Sequence, residues 1–379
     1  MKTKLLFVRA GIWVLLLAFV LTIRPVTAQT DQLSWQVVTS PNRGNRQNVL
    51  KGISTLSAND IWAVGEYNPG VPPTETGRRT LTQHWDGTAW QIIPSPNPSW
   101  TGLDLATLED VVALSANDVW AVGYSEDFAS LRLNTLIMHW DGLRWRIARS
   151  PNPVGLDLPN QLFAVEAVSP TNIYAVGEMG LYNQALILNW NGARWNVVSN
   201  QCGTGLRGIT AVSANDIWAV GDSTICHYDG TAWTIVLSPQ PRNNYYEISY
   251  PLQDIAAVSA TDIWAVGSRV LDYGQYIVHL SIFEHWDGNE WTLIDTPLGQ
   301  VVYGVEAVAS NDVWAVGTTG SQALILHWDG AGWTSVTAPN PGNGSSLKDI
   351  GIVDATNMWA VGSYYATTER TLILHGLEP

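Results

Sequence analysis

Two cysteines in 379 residues are too few for a disulfide-stapled small domain and leave at most one bridge, Cys202 to Cys226. An exported chain could form it, or Cys226 could be a small buried residue in a strand. Charged side chains are also scarce, at 14% against 46% hydrophobic, which argues against disorder and for a large core. Basic residues are scarcer still, 19 against 33 acidic. Such an acidic surface repels nucleic acid and anionic lipid, so those partner classes are excluded. Missing too are a nucleophile elbow, zinc-ligand spacing, a phosphate loop and an isolated carboxylate pair, so neither a catalytic group nor a cofactor is implied.

Long apolar runs are absent except at the start. Lys2, Lys4 and Arg9 precede the apolar stretch from Gly11 to Ile23, and "VTA" ends at Ala28 with the small residues a signal peptidase selects. The stretch is short for a membrane span of about 20 residues. Residues 1–28 therefore read as a cleaved secretory signal and 29–379 as the mature domain, secreted and without membrane insertion. That domain carries 15 basic and 33 acidic residues, a formal −18.

What the chain has in abundance is repetition. "SANDIWAVG" from Ser57 returns as "SANDVWAVG" from Ser115, "SPTNIYAVG" from Ser169, "SANDIWAVG" from Ser213, "SATDIWAVG" from Ser259, "ASNDVWAVG" from Ala309 and "DATNMWAVG" from Asp354. A second phrase follows most copies, as in "TLTQHWDGTAW" from Thr80. With a leading run such as "LKGISTL" from Leu50 and a trailing one such as "WQII" from Trp90, each unit holds four short β-type runs broken by Asn, Asp, Gly and Ser. Four antiparallel strands per unit describe a propeller blade. The last unit lacks a fourth strand, and "LSWQVV" from Leu33 is a fourth strand lacking a unit. Pairing the two closes an all-β, seven-bladed ring.

The order of a strand ending in Gly, an aromatic residue, a turn and a Trp resembles the blades of kelch-type and galactose-oxidase-like propellers. One glycine follows Val here where the kelch pattern has two, and a separate group of secreted propellers with "SANDxWAVG" repeats is the alternative. The resemblance implies the fold and carries no activity. A copper oxidase site of the galactose-oxidase kind would need two histidines outside the repeat pattern, and only His279 stands outside it.

Eighteen of the 20 tryptophans share three repeat positions, which assigns them to filling the wedge between blades rather than to a sugar-binding surface. His84, His139, His227, His285, His327 and His375 also share one position; rotated around a ring, they cannot converge on one metal, so a repeated hydrogen bond is expected. The acids at Asp60, Asp118, Asp216, Asp262 and Asp312, and those at Asp86, Asp141, Asp229, Asp287 and Asp329, are assigned to turns that accept backbone N–H groups.

Function is sought on the side where the sequence varies. The "SAND" and "WDG" turns share one face, while the long links from Glu66, Tyr124, Ser238 and Ser268 share the other, with the off-pattern aromatics Trp100, Tyr245, Tyr246, Tyr250 and Tyr273. On that side the innermost strands begin with Lys51, Glu109, Arg207, Gln253, Tyr303 and Lys348 at one repeat position. These residues are the expected ligand-binding set. The expected function is a monomeric, noncatalytic extracellular module for a protein or carbohydrate. A lectin, a polysaccharide hydrolase or lyase using loop carboxylates, and a structural envelope component are the alternatives.

Overall fold

The computed structural model describes residues 33–70, 77–98, 104–127, 132–154, 158–222, 224–239, 247–249, 251–294 and 300–378. Residues 1–28, read above as a secretory signal, and Trp100, Tyr245, Tyr246 and Tyr250 lie outside them. The described residues form seven antiparallel sheets arranged as a β-propeller. Blade 1 is typical, with strands Asn48–Ser57, Asp60–Tyr67, Arg79–Trp85 and Trp90–Ile92 running outward from the channel. Ser34–Val37 pairs with Glu369–Leu377 and supplies the outer strand of blade 7, with Trp35 opposite Gly376. First and last segments of the ring are thus laced into one sheet, which removes an open seam.

Tryptophan fills the space between blades. Trp62 is 2% exposed and meets Trp140 and Trp145 of blade 2, the second edge-on at 5.3 Å and 87°. The same contact recurs between Trp264 and Trp333 at 5.4 Å and 85°. Edge-to-face packing gives the positive ring edge a negative face, worth about 0.5–1.5 kcal/mol beyond area burial. The buried Nε1 atoms of Trp62, Trp145, Trp264 and Trp333 have no hydrogen-bond partner among the described residues.

The histidines act within blades. His84 Nε2 lies 2.8 Å from Asp60 Oδ1, and the pairing recurs for His139 with Asp118, His227 with Asp216 and His285 with Asp262. This corrects the reading of the Asp60 series as turn carboxylates. These acids begin the second strand, and ring nitrogens across the ladder reach them. The Asp86 series does serve the turn: Asp86 Oδ1 accepts from the Thr88 and Ala89 amides at 2.9 Å, and Gly87 takes a φ of +89°. The "SPN" stretches from Ser40, Ser95 and Ser150, which follow the outer strands, fasten back onto the blade. Asn97 Oδ1 accepts from the Thr80 amide at 3.0 Å, and Asn152 and Asn42 repeat the bond to Thr135 and Thr371.

Blade 5 departs from its siblings. The stretch from Ser268, read above as a loop, is a continuation of strands Asp262–Asp272 and Ile277–Trp286 in a long hairpin, and most of the stretch from Tyr124 likewise continues strands Asp118–Asp127 and Arg132–Trp140 of blade 2. Val270, Ile277 and Val278 suit strands, and Asp272 Oδ1 accepts from the Gly274 amide at 2.7 Å to set the turn. A fifth strand, Glu247–Ser249, pairs with this extension. Cys202 and Cys226 are fully buried in blade 4 and joined by a disulfide.

Candidate functional site at the channel mouth

The glycine that ends each "WAVG" shapes the site. A Cβ at Gly65 would overlap the Val49 carbonyl oxygen, so the second strand passes unusually close to the first. The first strand answers with a bulge: pairing runs from Leu50–Gly65 directly to Gly52–Val64, leaving Lys51 without a cross-strand partner. The same shift omits Glu109, Phe163, Arg207, Gln253, Tyr303 and Lys348 in blades 2 to 7. A bulged residue leaves the ladder and is re-aimed. Here all seven line one central cavity of about 320 Å³.

Six of these seven belong to the expected set. The seventh, Phe163, was missed because it reads as one more apolar strand residue, although its register is identical. Tyr273 is not brought to the cavity; it stacks on Tyr276 at 5.0 Å near the end of the blade 5 hairpin.

The wall pairs charges unevenly. Lys51 Nζ is 2.7 Å from Glu109 and 3.4 Å from Glu66, and Glu66 also meets Arg78 at 2.8 Å. Burial would lower the Lys51 amine, yet the two glutamates outweigh it and hold the amine above its ordinary range. Arg207 lies 3.2 Å from Asp222 and 3.9 Å from Glu178, with its guanidinium 4.7 Å from the Phe163 ring centroid. Lys348 instead sits 3.5 Å from the Tyr303 ring centroid, and burial with neighbouring Lys51 pushes its amine down to about 8.

Acids that the sequence reading overlooked lie just below. Asp110 accepts from its neighbour's amide, Val111, at 2.7 Å and from Val165 of the next blade at 2.8 Å. Asp254 bridges Ile255 and Val305, and Asp349 bridges Ile350 and Ile53, in the same way. The neighbouring blades carry Gly52, Ala164 and Gly304 at this position, and a Cβ at Gly52 would come within 2.7 Å of the Asp110 Cα. Two residues further along the strand stand Glu166 and Glu306. Burial, then mutual repulsion, raises the acids of both levels to about 8, although amide donors oppose the rise at the three aspartates. Among the described residues no group of three or more His, Cys, Asp or Glu is placed to hold a metal.

A half-enclosed cavity with chemically different walls, set on a rigid ring, can hold and orient a ligand. No family model and no curated protein matches the sequence. Solved structures do. Ycf48 bound to D1 peptide aligns with 93% of this chain and 100% of its own at a TM-score of 0.59 and 14% identity. The WD40 repeats of RRP9 align over 91% and 97% at 0.58 and 9% identity. A GH74 xyloglucanase from Xanthomonas campestris aligns over 87% of this chain and 53% of its own at 0.54 and 14% identity. The fold is a seven-bladed propeller. At these identities the likeness carries the architecture and nothing about chemistry.

Proposed function

We propose that the protein is an exported, monomeric binding module, of the kelch-like repeat type, that takes a segment of an extracellular protein at the mouth of its central channel. One observation carries the reading. The residue before each bulge is Leu50, Leu108, Leu162, Leu206, Leu252, Val302 or Leu347, each no more than 2% exposed. The bulged residue beside it takes six chemical identities in seven blades and faces one cavity. Packing explains the uniform position, and packing alone gives no reason for the other to vary. A peptide suits a wall that offers carboxylate, guanidinium, amide and aromatic groups within one mouth.

The test pairs peptide and glycan arrays with two groups of variants. Arg207→Ala and Gln253→Ala should weaken capture of a peptide ligand at least about tenfold with unchanged melting, a loss typical of an interface hot spot, whereas Asp229→Ala in an outer turn should leave capture unchanged. Glycan binding with no peptide binding would replace the ligand class, and loss of capture only in Asp229→Ala would place the site on the other face.

A further inference from the structure

Beyond residue 28 the chain contains two lysines, Lys51 and Lys348. Both occupy the bulge, in adjoining blades 1 and 7, and both line the cavity. Their surroundings are opposite. Lys51 is tied to Glu109 and Glu66, whereas Lys348 forms no ion pair among the described residues and rests on the Tyr303 ring. Lys51 opposes protonation of Lys348 after burial does, while Glu369 and Glu109 favour it less strongly. Arg207 and the floor acids Asp110, Asp254 and Asp349 are the other charged groups facing the cavity. A desolvated lysine beside a second cation keeps a larger share of free amine near neutral pH, the form that attacks carbonyl carbon.

We propose that Lys348 is a covalent docking point for a carbonyl compound, an aldehyde whose apolar body lies against Tyr303 and Phe163 and whose carbonyl carbon joins Nζ as an imine. The amine lone pair forms the C–N bond as the C=O π pair moves to oxygen. The carbinolamine then loses that oxygen as water, which carries away both amine protons and leaves C=N. Neither oxidant nor reductant is consumed, and hydrolysis reverses the step. The inference rests on the cavity being a ligand site, but its test needs no knowledge of the protein ligand.

The full folded chain is treated with benzaldehyde and cyanoborohydride across pH 6–10, and the benzylated lysines are located by peptide mapping. At pH 7.5 labelling of Lys348 should exceed that of Lys51 by more than about tenfold, since an ordinary or raised lysine is almost wholly protonated there. The Lys348 rate should level off near pH 8. Equal labelling of the two lysines, or a Lys348 rate still climbing at pH 10, would overturn the proposal. If Arg207-dependent peptide capture persists in that case, the binding reading stands without the imine.

Discussion

Carboxylates at the outer turns and in the channel are the same chemical group shifted in opposite directions. Asp86, Asp141 and Asp229 fall to about 2, because hydroxyl, guanidinium or backbone N–H donors surround each exposed carboxylate. Asp110, Asp254, Asp349, Glu166 and Glu306 rise to about 8, because burial and like charges outweigh the donors that reach them. Donors alone therefore do not decide the sign: Asp110, Asp254 and Asp349 each accept two amides and still rise. What differs is enclosure, which the turns lack and the ring imposes.

Opening the ring is the strongest way to break this contrast. Removing residues 33–39 deletes the strand carrying Trp35, which is 7% exposed, and should cost several kcal/mol of stability. It should also return the channel acids toward ordinary values by admitting water. Thermal melts at pH 5 and pH 8 test both; an unchanged melting temperature would show that the terminal strand does not hold the ring closed.

Neutralising one channel acid sharpens the contrast. Glu306 binds its proton more tightly folded, at about 8, than unfolded, near the ordinary 4.5. Its contribution is therefore fully present below about 4.5 and is lost as pH rises through about 8. Glu306→Gln, which mimics the protonated side chain, should raise the melting temperature by a few degrees at pH 8.5 and leave it unchanged at pH 4. A variant less stable than the parent at pH 8.5 would mean that the ionised glutamate supports the channel.

The matching change at an outer turn should be smaller and opposite in sign. Asp86 is held low by Thr88 and the Ala89 and Thr88 amides, so its contribution exists above about 3.8 and disappears as pH falls through about 2. Asp86→Ala should lower melting slightly at pH 7 and not at pH 2, since the turn is solvated and screened. An equal loss at both pH values would trace the effect to turn conformation rather than to charge.

Much of the mouth was legible because the repeat supplied its own alignment. Seven copies showed where Lys51, Glu109, Arg207, Gln253, Tyr303 and Lys348 break the uniformity of their neighbours. Phe163 escaped because it looks like core. Asp110 and Glu166 escaped for a different reason: single acids in β-type runs carry no sign that the ring will gather them around one axis. The Asp60 series was misplaced because a carboxylate beside a turn resembles an Asx turn, while its histidine partner stands 11 to 24 residues away.

The blade count, the four strands of each blade and the closing role of Leu33–Val37 follow from sequence alone. They depend on local alternation, turn residues and a strand missing at one end and surplus at the other. The close passage of Gly65 against Val49, and the bulge it accompanies, were decided in three dimensions. So were the gathering of seven bulged residues into one cavity and the enclosure that lifts five acids to about 8. Those outcomes require strands far apart in the chain to share an axis, and the low-dielectric surroundings that set a proton's affinity do not exist until the ring has closed.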